Sequence, residues 1–358
     1  MNIPSAYAAG YEAARARDPR LAEAYIRHTT IGDPLADAVI RDLGSLSPEE
    51  IHDTLAEVLE GPEVSHHGVP DSLLAFVEEA GRIPGWFDGK RARIASQAFL
   101  RNSDIVLAAL VGGSIVEGFS TLISKSFRIR GRLVVAAIRR LKHNGMQLVE
   151  QYLPGGMEPG GDGWRLTLRA RLVHAQSRHL LNGSDEWDRE RYGTPLSAAH
   201  ILLAGAAFSG RLMGHVAALG GDFTRDEREA FVHVWRYAGV LFGIIMANSV
   251  VNSAPIIVGV KAPPERRKMA RTVTQVSREL IGDELADSLR FPRRKRKIVP
   301  WLRFRHRARR TVGRMLPGLA AKQNQDRFEA LMEFASFDEF EHSYRLPTAL
   351  HDERSSDW

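Results

Sequence analysis

Apolar residues recur along this chain at three- and four-residue intervals, and the strict apolar–polar alternation of strands is nearly absent. PSAYAAGYEAARARD predicts a short alanine-rich helix. SPEEIHDTLAEVLEG predicts another, opened by Ser47 with Glu50 three residues on, the reciprocal capping-box pattern. DSLLAFVEEAGRIPGWFDG reads as a helix stopped at Pro84 and Gly85. ASQAFLRNSDIVLAALVGGSIVEGFSTLIS is apolar enough for one or two buried helices, and GRLVVAAIRRLKHNGMQLVEQYL is amphipathic. It ends before PGGMEPGGDG, residues 154–163, whose five glycines and two prolines mark the clearest loop in the chain. Beyond it come the helix containing RARLVHAQSRHLL, the turn DEWDRERYGTPLS, a buried helix in SAAHILLAGAAFSGRLMGHVAALGG, and TRDEREAFVHVWRYAGVLFGI, capped by Thr224 and Glu227. The expectation is an all-α fold in one large helical domain. It has an N-terminal helical extension over 1–65, a core over 66–262 and a basic C-terminal section over 263–358 that packs on the core.

Composition narrows the chemistry. The 358 residues are 44% hydrophobic, enough to bury a large core, and contain no cysteine. Zinc–thiolate sites, iron–sulfur clusters and cysteine nucleophiles are therefore excluded, and a bound metal would have to use His, Met, Tyr or carboxylates. The formal charge of +6 is modest for this length, and nucleic acid is not an expected partner. The segment MNIPSAYAAGYEAARARDPR carries Glu12 and Asp18 and lacks a long apolar run, so it does not read as a secretory signal. Cytoplasmic residence is the expectation, with membrane association left open. Residues 239–260 are uncharged and long enough to span a bilayer, but Asn248, Ser249, Asn252, Ser253 and Pro255 suit a buried helix followed by an extended segment.

Chemistry concentrates in RARLVHAQSRHLL. Arg171, His174 and Arg178 fall at i, i+3 and i+7 and share one helix face, while His179 points about 140° away from His174. Two readings of His174 stand side by side. It is a satisfied core histidine between snorkelling arginines. Or it is a ligand, since flanking positive charges depress an imidazole's pKa and the neutral form is the one that binds metal. Guanidiniums also pair with carboxylates, which would suit a cofactor bearing propionates.

Elsewhere, Glu117 interrupts the apolar run LAALVGGSIVEGFSTLIS. Burial would raise its pKa and make it a base, whereas a salt bridge to an arginine would make it structural. His200, His215 and His233 lie on predicted buried helices without metal-ligand spacing. In FPRRKRKIVPWLRFRHRARRTVGRMLPGL, cationic residues interleave with Trp301, Phe304 and Met315. Three readings stay open there: contact with an anionic membrane through 293–310, a nucleic-acid patch, or a solvated helix face.

The RxxHxxxR pattern resembles the ligand helix of the latex clearing protein (rubber oxygenase) and fungal mpaB-type oxygenase family. GRLVVAAIRRL, YLPGGMEPGGDG, YGTPLS, HVWRYAGVLFGI and GWFD resemble further family elements in the same order, over roughly residues 70–250. The resemblance implies a globin-like core and haem b, with His174 as the iron ligand. It implies that Arg171 and Arg178 support the haem or its propionates and that Arg140 faces it. Where the family usually has threonine, four residues after that arginine, this chain has Asn144. His143 precedes it, where a distal lysine stands in rubber oxygenases, so His143, Asn144 and Glu117 form the expected catalytic set.

The implied activity uses dioxygen to cleave or oxidise C=C bonds in an isoprenoid or other hydrophobic substrate. The alternatives are a non-catalytic haem or hydrophobic-ligand binder on the same fold, and a basic membrane-surface scaffold without cofactor.

Overall fold

The computed structural model describes residues 2–60, 68–118, 121–129, 133–243, 276–289, 291, 293, 298–315, 325–326, 328–331 and 346. Among them there is no strand, and the all-α expectation holds. The chain opens with α1 (Ala8–Arg15), α2 (Pro19–His28) and α3 (Pro34–Leu43). The last two start alike. Asp18 and Asp33 sit at the N-caps and accept from the backbone N–H groups of Leu21 and Ala36, and each is followed by a proline that needs no donor. α4 (Pro48–Glu60) and α5 (Asp71–Gly81) follow, and the Ser47–Glu50 capping box forms as expected.

α6 (Gly89–Ala109) is bent at Asn102, whose side chain binds Ala98 O at 3.0 Å and exchanges hydrogen bonds with the backbone of Asp222. It runs on through a π-helical turn, Leu110–Ser114, into Ile115–Gly118. α7 (Leu122–Ile129) and α8 (Leu133–Tyr152) lead to the glycine-rich loop, after which α9 (Asp162–Asn182) carries RARLVHAQSRHLL as one continuous helix. α10 (Ala198–Ala206) also passes through a π turn, Ala207–Arg211, before continuing as Leu212–Leu219. The two π turns meet where Ser114 Oγ donates to Ala207 O at 2.8 Å. α11 (Arg225–Leu241) starts with the expected Thr224–Glu227 box, and α12 (Val299–Met315) is the basic helix. The stretch 239–260, weighed as a membrane span, lies outside the described residues from 244 onward.

One large buried cluster runs through the described helices from α3 to α12. α6 packs on α11, and α9 packs on α3, α8 and α11. At its centre Phe99, Tyr152 and Phe231 stack at 5.1 and 4.4 Å, and the Tyr152 hydroxyl donates to Phe231 O. Val39 and Leu43 of α3 and Leu55 and Leu59 of α4 belong to this same cluster, as does Val299 of α12. α3 and α4 thus share this core, while Tyr11, Ala22 and Ile26 of α1 and α2 form a small cluster of their own.

Candidate functional site

α9 is unusual because it buries charge. The Arg171 and Arg178 side chains are only 4% and 3% exposed, and a buried guanidinium needs counter-ions. α3 supplies them. Arg171 grips Asp33 bidentately, with Nε to Oδ2 at 2.6 Å and Nη2 to Oδ1 at 3.1 Å. Its Nη1 donates to Glu79 of α5 at 3.0 Å and to Leu241 O at 3.3 Å. Arg178 pairs with Asp37, Nε to Oδ1 at 2.9 Å, and donates through Nη1 to Leu196 O at 2.6 Å.

Each pair lies against a glycine. A Cβ on Gly243 (φ +73°) would stand 2.5 Å from Asp33 Oδ2, and one on Gly32 would stand 2.7 Å from Asp37 Oδ2. Any side chain at either position would push the ion pair apart. The carbonyl that receives Arg178 belongs to Leu196, a non-glycine residue held at φ +44°, a strained conformation that the packing imposes.

His174 lines a small cleft whose charged wall is Asp33, Arg171 and Arg178 and whose apolar wall is Leu196, Ala198, Ile201 and Phe242. Its ring lies against Phe242 with centroids 5.8 Å apart. Burial, then the Arg178 charge, lowers its pKa from 6.5 to about 4, with Asp33 opposing. The imidazole is therefore neutral at neutral pH and keeps a nitrogen lone pair for a ligand.

A strap from the N-terminal region closes one side. Thr194 N–H donates to Thr29 O at 2.8 Å, the Thr194 hydroxyl to Thr30 O at 2.9 Å, and Ala198 N–H to Ile31 O at 2.8 Å. His200 is structural: its Nδ1 accepts from Ser197 N–H, and its Nε2 meets the Tyr7 hydroxyl at 2.7 Å.

The other expected site residues are placed elsewhere. Glu117 is buried, but it does not line this cleft. Arg211 Nε donates to both its oxygens at 2.9 Å, and His215 Nε2 stands 3.4 Å away. Burial pushes its pKa up, yet hydrogen bonds from His215 and Arg211 outweigh burial and leave it lowered. Of the two readings of Glu117 the salt bridge to an arginine is the one found, and the raised carboxyl acting as base is not: Glu117 is an ionised partner that ties the end of the α6 extension to the π turn of α10. His143 and Asn144 are half-buried on α8 and do not line the cleft. Arg140 lies on the same helix, and its side chain is outside the described residues. His179 is exposed.

Asp33, Asp37 and Glu79 were not foreseen. The signal for them was indirect: two arginines on an apolar helix require carboxylates, and GDPLAD offers two, one at an N-cap and one a turn later. Among the described residues no three His, Asp or Glu side chains cluster as a bare metal site would need. A lone neutral histidine instead suits a metal whose other ligands come from a macrocycle.

Residues 101–334 match the family described as "ER-bound oxygenase mpaB/B'/Rubber oxygenase, catalytic domain". The rubber oxygenase of Streptomyces sp. (strain K30) is 28% identical over 222 residues, which cover 59% of this chain and 52% of that protein. The chain thus spans about half the length of this curated relative. The solved structure of latex clearing protein LCP in the closed state superposes with a TM-score of 0.59 at 19% identity, over 86% of this chain and 90% of that one, a likeness of fold. The family match includes His174 and both arginines, whereas Asp33, Asp37 and Glu79 precede it.

Proposed function

The chain belongs to the family of the mpaB-type and rubber oxygenase catalytic domains, and from that premise we propose that it is a haem b-dependent oxygenase acting on a hydrophobic, isoprenoid-like substrate. The observation that carries the reading is His174: a neutral imidazole, held between two ion-paired arginines, facing a cleft whose other wall is Leu196, Ala198, Ile201 and Phe242. The donor chemistry fits haem, because one histidine is all that the porphyrin leaves for the protein to supply. His174 would hold the iron, which when bound supplies dioxygen binding and activation.

The rest is the work of this chain. Asp33 and Asp37, through Arg171 and Arg178, fix the pitch and rotation of α9 and hence the direction of the imidazole. Leu196, Ile201 and Phe242 limit the access of water to its ring. In the net reaction both atoms of dioxygen end on the two carbons of a cleaved double bond, as two carbonyls. Purified protein should show a Soret band that His174→Ala removes. A colourless protein that does not take up added haem would overturn the cofactor assignment.

One observation favours a second reading, a binder of an apolar ligand smaller than haem, without turnover. Both guanidiniums are ion-paired to carboxylates of α3, and the cleft beside His174 is far smaller than a porphyrin. Aerobic incubation of the haem-loaded protein with polyisoprene or shorter polyprenoids separates the two. Carbonyl products support the oxygenase, and bound, unaltered substrate supports the binder.

A further inference from the structure

Eight large apolar side chains are exposed among the described residues, and four of them stand on α12: Trp301 (56%), Phe304 (70%), Val312 (46%) and Met315 (73%). At about 100° per residue these four fall within an arc of about 80°. They form one continuous stripe along the helix rather than scattered exposures of the ordinary kind.

Arginines border the stripe. Arg305 and Arg309 lie on one side and Arg307 on the other, and none of the three has a carboxylate partner among the described residues. Arg305 stands 5.0 Å over the Trp301 ring. From residue 288 to residue 325 the sequence has no aspartate or glutamate and thirteen lysines and arginines. The opposite face of α12 is anchored. Arg303 donates twice to Ala218 O, at 2.6 and 3.1 Å, while Leu302 packs on the core and His306 is buried. Glu279 caps the start of the helix by accepting from the N–H groups of Ile298 and Val299, at 2.5 and 3.2 Å. The stripe is therefore the outward face of a fixed helix, not a core face that has failed to pack.

We propose that this face of α12 docks the protein on an anionic lipid bilayer. Aromatic and aliphatic side chains flanked by arginines on a surface-parallel helix match the boundary between lipid headgroups and acyl chains, with the apolar stripe entering and the guanidiniums meeting phosphates. A second copy of the chain is a poor occupant, because pairing two such faces would set arginine rows against each other. Nucleic acid would reward the arginines and Trp301, but not Val312 and Met315.

The test is flotation of the full-length protein with phosphatidylcholine vesicles and with vesicles in which part of that lipid is replaced by phosphatidylserine. The protein should float with the anionic vesicles at low salt and be released as salt rises. Each arginine at such a surface is worth about a fivefold change in partitioning, so Arg305→Glu with Arg309→Glu should weaken binding roughly twenty-five-fold or more. Trp301→Ser with Phe304→Ser should also abolish most binding while leaving the melting temperature unchanged, since both side chains are exposed. No preference for anionic vesicles in the wild-type protein overturns the proposal. So does salt-sensitive binding to duplex DNA that is tighter than vesicle binding and survives Trp301→Ser with Phe304→Ser, or a wild-type dimer that this double variant converts to monomer.

Discussion

Replacing Asp33 tests how α9 is held. Asp33 does two jobs: its carboxylate grips the buried Arg171 at 2.6 and 3.1 Å, and Oδ1 also caps α3 through Ala36 N–H at 3.2 Å. Asp33→Asn keeps the cap, because asparagine caps as well as aspartate, but removes the charge. Stripping one partner from a fully buried pair costs about 3–5 kcal/mol. Here Glu79 remains at 3.0 Å, though half-exposed, and takes up part of the charge. The expected loss is thus about 2–3 kcal/mol for Asp33→Asn, and about 1 kcal/mol more for Asp33→Ala, which also loses the cap. Asp37→Asn should cost less, about 1 kcal/mol, because the Asp37 side chain is 35% exposed and solvent screens the pair.

Urea unfolding followed by circular dichroism measures all three at unchanged slope. Arg171→Met in the Asp33→Asn background removes the stranded charge and should recover at least about 1 kcal/mol. The account is refuted if Asp33→Asn costs under about 0.5 kcal/mol, the level of an exposed pair, or if the second substitution adds its full cost instead of recovering any.

Three further outcomes follow from the same geometry. Gly243→Ala should destabilise by about 1–3 kcal/mol, from positive φ and from a Cβ 2.5 Å from Asp33 Oδ2, and should displace any Soret band that the wild type shows. His174 titrates near 6.5 unfolded and about 4 folded, so the unfolded chain binds more protons between those values. Its contribution is complete above about pH 6.5 and is lost as pH falls towards 4, at most about 3 kcal/mol, and His174→Phe should flatten that part of the stability–pH curve. Glu117→Gln should leave His215 and half-buried Arg211 without their anion and lower stability by about 1–2 kcal/mol by thermal denaturation; a neutral result would show the pair to be worth no more than a surface one.

What the sequence disclosed and what it hid divide along one physical line. Helix periods, the Ser47–Glu50 and Thr224–Glu227 boxes and the face shared by Arg171, His174 and Arg178 are local, set by residues within a turn or two of each other. The partners of that face are not. Asp33 and Asp37 lie about 140 residues before their arginines, and Arg211 lies 94 residues after Glu117, distances over which periodicity carries no information. The π turns escaped for a related reason. Each adds one residue to a helical turn, and composition does not register that.

The missing partners change the reason for an expectation that otherwise stands. Charge patterning derived a neutral His174 from two flanking positive charges. With Asp33, Asp37 and Glu79 in place, three carboxylates face two guanidiniums, and the local field no longer favours loss of the imidazole's proton by itself. The low pKa comes first from burial, with Arg178 second and Asp33 opposing. The arginines matter chiefly as mechanical parts that clamp α9 to α3 and α5. This inverts what Arg178→Gln should do. If field were dominant, the variant would raise the His174 pKa well towards 6.5. Because burial leads, the shift should be smaller than the one produced by opening the cleft wall with Phe242→Ala, and NMR titration of the His174 ring in the two variants ranks the two effects directly.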